Sequence, residues 1–217
     1  MISIISLLLI AQPDIGQTLL VVFCWATLIF TSGINIYVLL ATFIAGSSFL
    51  AYLIIYVPRF DYIQGRIFSF FNRESGTHNF QSDKAIESIT SGGFFGKGIG
   101  EGVLKNRVPE AHTDYIISVI SEEFGVVAIM LILLLFLILI YMVFKKISFE
   151  TNDKAKLILI GSISLILMQA TIHIGVNIRL FPTTGMTLPF LSYGGSSIIS
   201  TSILGGIILN LTKRKIT

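Results

Sequence analysis

Charge is the scarcest property of this chain. Only 12% of its 217 residues are Asp, Glu, Lys or Arg, against about 25% in an ordinary soluble domain. That excludes a solvated globule with a charged skin. Cysteine is nearly absent too. Cys24 stands alone inside an apolar run, so there is no disulfide framework and no cysteine-based metal site. It reads as a small packing residue. No basic stretch precedes the apolar opening, so no cleavable signal peptide is expected. The net charge is +3, and the basic residues lie beside apolar runs, a pattern that does not suggest nucleic acid. There are five prolines, and two of them, Pro182 and Pro189, fall in one short stretch.

What the chain has in abundance is uncharged apolar length. It is 53% hydrophobic, with a mean hydropathy of +0.85. A spanning helix needs about 20 mostly apolar residues, and five stretches qualify: 15–32, 35–57, 118–144, 157–178 and 196–212. Ile2 to Ala11 is apolar but half that length, a stump against the break at Gln12-Pro13-Asp14. The expected fold is all-α. It is a polytopic helical membrane protein forming a single transmembrane domain over 1–217, with about five complete spans plus the N-terminal stump. One large loop, 58–117, interrupts it.

Lysine and arginine near span ends set orientation. Lys145, Lys146, Lys154 and Lys156 fill one connector, and Lys213, Arg214 and Lys215 the C-terminus. Two spans separate these groups, so both belong on the cytoplasmic side. The segments 58–117 and 179–195 are then outside. The large loop carries seven basic and seven acidic residues, a balance that does not oppose translocation of a long loop. Its many phenylalanines, Phe68, Phe70, Phe71, Phe80, Phe94 and Phe95, argue against a solvated linker. Short amphipathic helices on the membrane surface are expected there.

Four motifs stand out. Phe181-Pro-Thr-Thr-Gly-Met-Thr-Leu-Pro-Phe-Leu-Ser-Tyr-Gly-Gly-Ser-Ser197 is polar and irregular between two apolar runs. Such backbone survives at membrane depth only where protein or water satisfies its amides, so it should fold back into the bundle and line a site. Ser192, Gly194 and Gly195 are site candidates, the glycines by allowing close backbone approach. Ser91-Gly-Gly-Phe-Phe-Gly-Lys-Gly-Ile-Gly-Glu-Gly102 holds six glycines. It reads either as an anion-binding nest, with Lys97 adding charge, or as a flexible hinge. No βαβ unit surrounds it, so it is not a dinucleotide fingerprint.

Val108-Pro-Glu-Ala-His-Thr-Asp-Tyr115 precedes an apolar helix. In an extended strand Glu110, His112 and Asp114 would face one side. A partly desolvated carboxylate here could serve as a general base. Equally, Thr113 or Asp114 could cap the following helix, or the three side chains could ligate a metal, though without HExxH-like spacing. Finally, Gln169, His173 and Asn177 recur every four residues on one helix face. That stripe reads as helix–helix hydrogen bonding, or as a hydrophilic cleft opening outward near Arg179.

With Gln12-Pro-Asp-Ile-Gly16 and Glu122-Glu-Phe-Gly125, these motifs stand in the order seen in the SEDS family (shape, elongation, division and sporulation), and the chain resembles that family over nearly its whole length. Thr184-Gly-Met-Thr-Leu-Pro189 is similar to the division branch more than to the elongation branch. The resemblance implies a peptidoglycan glycosyltransferase at the bacterial inner membrane and division septum. Its substrate would be lipid II, the undecaprenyl-diphosphate-linked disaccharide peptide. Its partners would be a class B penicillin-binding transpeptidase and other divisome proteins. Asp114 would be the family's essential acid and the catalytic residue. Lys97, Arg66 and Arg179, chosen by charge and position, would hold the diphosphate, with Glu110 and His112 also in the substrate site. No cofactor is required by this reading, and a divalent cation such as Mg2+ stays open. A lipid II transporter and a non-catalytic divisome scaffold are the alternatives. The absence of charges in mid-span disfavours the transporter. The resemblance also places the start of the chain inside the fifth span of the family fold, so that the sequence corresponds to its C-terminal part.

Overall fold

The computed structural model describes residues 2–12, 14–72, 77–103 and 108–213. Arg73, Glu74, Lys105, Arg107, Arg214 and Lys215, counted above for orientation and balance, lie outside them. The described residues form eight α-helices and one 3-10 turn. They are α1 (Ile2–Ala11), α2 (Ile15–Thr31), α3 (Ile36–Tyr56), α4 (Asp61–Asn72), α5 (Thr77–Gly92), α6 (Ile116–Phe149), α7 (Asp153–Asn177) and α8 (Gly195–Thr212). The turn, Pro58–Phe60, joins α3 to α4.

Local chemistry sets the helix ends. Asp14 accepts the Gln17 amide and starts α2, Asn35 accepts the Tyr37 amide and starts α3, and Asn152 accepts from Lys154 and Ala155 at the start of α7. Each short polar side chain satisfies one of the helix's otherwise unpaired N–H groups. Four helices, α3, α6, α7 and α8, are long and apolar enough to cross a membrane, while α2 is a shorter apolar helix. Five complete spans were expected. The fifth falls short because Asp14 and the Ser32-Gly33 turn bound α2 at 17 residues, about 26 Å of helix.

The core sits around α7. Half of its most apolar window is buried, whereas none of that of α3 is. Leu159, Ile163 and Ile166 pack with Val143 of α6 and Ile208 of α8. The Cys24 thiol meets the Gly161 carbonyl at 3.7 Å, so Cys24 is the packing residue expected, at the α2–α7 contact. Exposed apolar side chains on α3 and α6 have a ready solvent in lipid.

The large loop does contain two short helices. However, α5 is not a helix lying free on a membrane surface. It packs along the N-terminal end of α6 through small polar residues. Ser88 Oγ donates to the Ser118 carbonyl at 3.2 Å, Ser121 Oγ donates to the Ile89 carbonyl at 3.3 Å, and Ala85 and Ser88 are fully buried. Small side chains let the two backbones approach closely.

The glycine run then locks onto a break in α6. Gly125 has φ +75° and ψ −176°, which interrupts the helix. Its neighbours' amides are satisfied from outside: Val126 N donates to Gly93 O at 3.0 Å and Val127 N to Phe94 O at 3.2 Å. In return, Lys97 N donates to Glu122 O and Gly98 N to Glu123 O. The anion-nest expectation is corrected here, because these amides, with Gly100 N on the Glu123 carboxylate, already serve α6. The flexible-hinge reading fails for the same reason.

A Cβ at Gly96, whose φ is +76°, would collide with the Glu123 carbonyl and the Phe124 nitrogen. Gly65 of α4 has open space instead. Gly96→Ala is therefore expected to cost about 3 kcal/mol, combining left-handed strain with a backbone clash. Gly65→Ala should be neutral or stabilising by up to about 1 kcal/mol. Unfolding in mixed micelles measures both, and equal effects would refute the interlock.

Candidate functional site

The polar segment 181–197 folds back into the bundle, as expected, and α7 satisfies its backbone. His173 Nδ1 donates to the Met186 carbonyl at 2.7 Å. Gln169 Nε2 donates to the Thr187 carbonyl at 3.0 Å and meets the Thr187 and Ser197 hydroxyls. The helix–helix reading holds at one place, where Gln169 meets Ser197 of α8, and Gln169 also lines a cavity with Gln17, Ser200 and Thr201, but the stripe has a larger role. It is the partner set of the irregular segment. Met186, Leu188 and Ser192 are buried by it.

The same segment clamps the chain around Asp114. Asn177 Nδ2 donates to the Asp114 carbonyl at 3.0 Å. Ser192 Oγ donates to the Thr113 carbonyl at 2.7 Å while accepting the Leu188 amide at 2.8 Å. Tyr193 N donates to the His112 carbonyl at 3.0 Å. Three successive carbonyls are held, and segments 108–115 and 181–197 meet at one end of the bundle.

Residues 110–115 are a set of turns and not the extended stretch expected. Glu110, with φ +55°, accepts the Thr113 and Asp114 amides on its carbonyl. The alternation of Glu110, His112 and Asp114 therefore does not place them on one face. His112 and Glu110 are exposed, and Asp114 is half-buried. The capping alternative is removed as well. Tyr115 is the N-cap of α6, and no side chain caps that end. Asp114 is left without a structural duty at the helix start.

Its surroundings tune it. Burial, and next the Glu110 carboxylate, raise the Asp114 carboxyl above its ordinary value, while Arg66 pulls it down. Arg66 on α4 donates Nη1 to the Thr183 carbonyl at 2.7 Å. Burial lowers the Arg66 guanidinium, and Tyr115, Asp114 and Asp14 oppose that shift. Arg66 lines a cavity of about 520 Å³ with Asp14, Ile63, Ile172, Phe181 and Thr184, a volume suited to part of a large ligand. Thr184 leads into Gly185, where a Cβ would lie 3.5 Å from Asp114 Oδ2. Asp114 therefore stands beside the cavity behind the 184–185 turn.

The other charged candidates are elsewhere engaged. Lys97 neutralises Glu122, a fully buried carboxylate on α6, at 3.3 Å. Ser88 Oγ and the Val103 amide complete that hub at 3.0 Å each. Arg179 pairs with Asp83, fastening α5 to the end of α7. Both cations were expected on a diphosphate, and the structure gives each a carboxylate partner instead. Gly195 has open space, and Gly194, at φ −165°, is extended backbone that any residue adopts. A Cβ at Gly194 would press on the Thr187 methyl at 3.3 Å, so close approach bears on Gly194 and not on Gly195. Among the described residues no three His, Cys, Asp or Glu side chains converge on a metal position. Sequence reasoning noted Asn177 but missed its contact with Asp114, and it missed Glu122 as a hub. A buried acid in the motif Glu122-Glu-Phe-Gly125 was the available signal.

The raised Asp114 carboxyl has a consequence for stability. Its folded value lies above the unfolded 3.8. As pH rises from 3.8 the unfolded chain gives up the proton first, so folding loses free energy until the folded value is passed. Asp114→Asn should therefore raise the melting temperature at pH 7, with the gain shrinking toward pH 3.8. Thermal unfolding in detergent across that range checks it.

Comparison with known proteins agrees with the sequence resemblance. The family model described as cell cycle protein, covering FtsW, RodA and SpoVE, matches residues 1–216. A probable peptidoglycan glycosyltransferase FtsW of Caulobacter vibrioides is 36% identical over 210 residues, spanning 96% of this chain and 52% of that protein. The Enterococcus hirae protein of the same name is 32% identical over 98% of this chain and 57% of its own length. A solved structure from a peptidoglycan synthase complex, described as coordinating polymerization and crosslinking, superposes with a TM-score of 0.73. It is 27% identical over 98% of this chain and 60% of its own. The chain spans about half the length of the curated relatives it matches. It belongs to the FtsW, RodA and SpoVE family of cell cycle proteins.

Proposed function

We propose that the chain carries the catalytic site of a peptidoglycan glycosyltransferase that polymerises lipid II during cell division. The observation that supports this most is Asp114. It is a half-buried carboxyl with no capping role, held through three neighbouring carbonyls, beside an apolar-walled cavity that also presents Arg66. A raised, positioned carboxylate is what a general base needs near neutral pH.

In the reaction, a GlcNAc 4-hydroxyl attacks the anomeric carbon of a lipid-linked MurNAc. Asp114 takes the hydroxyl proton as the new C–O bond forms. The bond from the anomeric carbon to the phosphate oxygen breaks, and its electron pair leaves on undecaprenyl diphosphate. Arg66 faces the cavity and offers positive charge to that leaving group. The cavity walls, Ile63, Ile172 and Phe181, suit a polyprenyl chain. No step passes through a cation. The site lies at the outer face of the inner membrane, with a class B transpeptidase as partner at the septum. The polar groups gathered at one end of the bundle support an enzyme over a transporter, whose site would sit at the midplane.

Two outcomes check this reading. Lys84→Cys should react with a membrane-impermeant thiol reagent in intact spheroplasts of a Cys24→Ser background, and Lys154→Cys should not. The reverse pattern would invert the topology. Asp114→Asn, in the full-length protein with its transpeptidase, should lose about 10²–10⁴-fold in lipid II polymerisation. Membrane insertion and partner binding should persist. Polymer at near wild-type rate would remove Asp114 from the chemistry.

A further inference from the structure

The tip of the glycine run is apolar and exposed. Phe94 is 76% exposed, Phe95 84% and Ile99 79%. Three large apolar side chains on an outer loop need a solvent other than water.

Their height relative to the membrane follows from α6. Val126 to Phe144 carries no charge, and the charges nearest its ends are Glu123, beyond the break at Gly125, and Lys145. At 1.5 Å per residue that run is about 28 Å long, the thickness of a bilayer's hydrocarbon core. The outer membrane boundary therefore falls at Gly125. The loop is bonded to α6 at that level, through Gly93 O on Val126 N and Phe94 O on Val127 N. The α6 face beside it is exposed and apolar: Phe124, Val127, Met130 and Leu131. Phe94 and Phe95 thus extend the lipid-facing surface of α6 sideways at the interfacial depth. Aromatic rings are favoured at that depth.

We infer that the Phe94-Phe95-Ile99 tip is a lipid-anchoring surface, dipping into the outer leaflet beside α6. The occupant is the bilayer itself. The helix break at Gly125 gives the reason for the device. An interrupted helix at the membrane edge exposes Val126 and Val127 amides, and the loop that caps them must itself lie at that edge. The inference rests on the membrane-spanning reading of α6 and not on the catalytic one.

The chain has one tryptophan, Trp25, so fluorescence isolates the tip. In a Trp25→Phe background, Phe95→Trp is reconstituted in phosphatidylcholine vesicles with bromine placed shallow or deep on the acyl chain. Leu134→Trp, at the middle of the exposed α6 face, is the reference. Emission from Phe95→Trp should fall most with shallow bromine and resist aqueous iodide, and Leu134→Trp should fall most with deep bromine. Iodide quenching of Phe95→Trp without loss to bromolipid would place the tip in water and overturn the inference. Protection from both quenchers would mean that protein covers it, which also overturns it. Phe94→Trp repeats the measurement if Phe95→Trp fails to insert.

Discussion

Irregular backbone inside a membrane protein has to find its hydrogen-bond partners within the protein. In this chain that requirement organises everything else. Segment 181–197 contains two prolines and cannot be helical through its length. Its carbonyls at Met186 and Thr187 are therefore met by His173 and Gln169 of α7. Once α7 is committed to that task its polar face lies against the irregular segment. Asn177, one turn further, reaches the Asp114 carbonyl. The support of the site is thus the continuation of a structural repair.

A second repair works by the same rule. The break at Gly125 leaves amides that the glycine run accepts, and the run's own amides return to Glu122 and Glu123. Glu122 then ties three elements together, with Ser88 from α5 and Lys97 and Val103 from the loop on one buried carboxylate. Removing one partner of such a group leaves a buried charge uncompensated, which costs far more than a surface ion pair contributes. The hub makes α5, the loop and α6 one unit, so the short polar helix is held without a large apolar face of its own.

The spans were legible because long uncharged runs admit few alternatives in lipid, and α2, α3, α6, α7 and α8 begin and end within a few residues of the expected stretches. The return of segment 181–197 was legible from its backbone chemistry. The site was legible in part. Arg66 acts on the Asp114 carboxyl against the effect of burial. The pairing of Lys97 and Arg179 with carboxylates was not legible, because their partners Glu122 and Asp83 lie 25 and 96 residues away in sequence and no local pattern announces them. The alternation at Glu110, His112 and Asp114 misled, because a positive φ at Glu110 bends the chain into turns. Periodicity arguments assume a regular backbone, and this stretch has none.

The two repairs together explain why a half-buried carboxyl can be placed so firmly on what is formally a loop. A loop residue usually owes its position to a scaffold beneath it. Asp114 has one on each side. Ahead of it the glycine run is fastened to the α6 break, and α6 itself begins directly after it at Tyr115. Across from it Asn177, Ser192 and Tyr193 hold its backbone. The carboxyl itself is spared from capping, so the backbone bears the positioning. That division of labour lets a partly desolvated acid persist at a helix start, where an N-cap would ordinarily claim it.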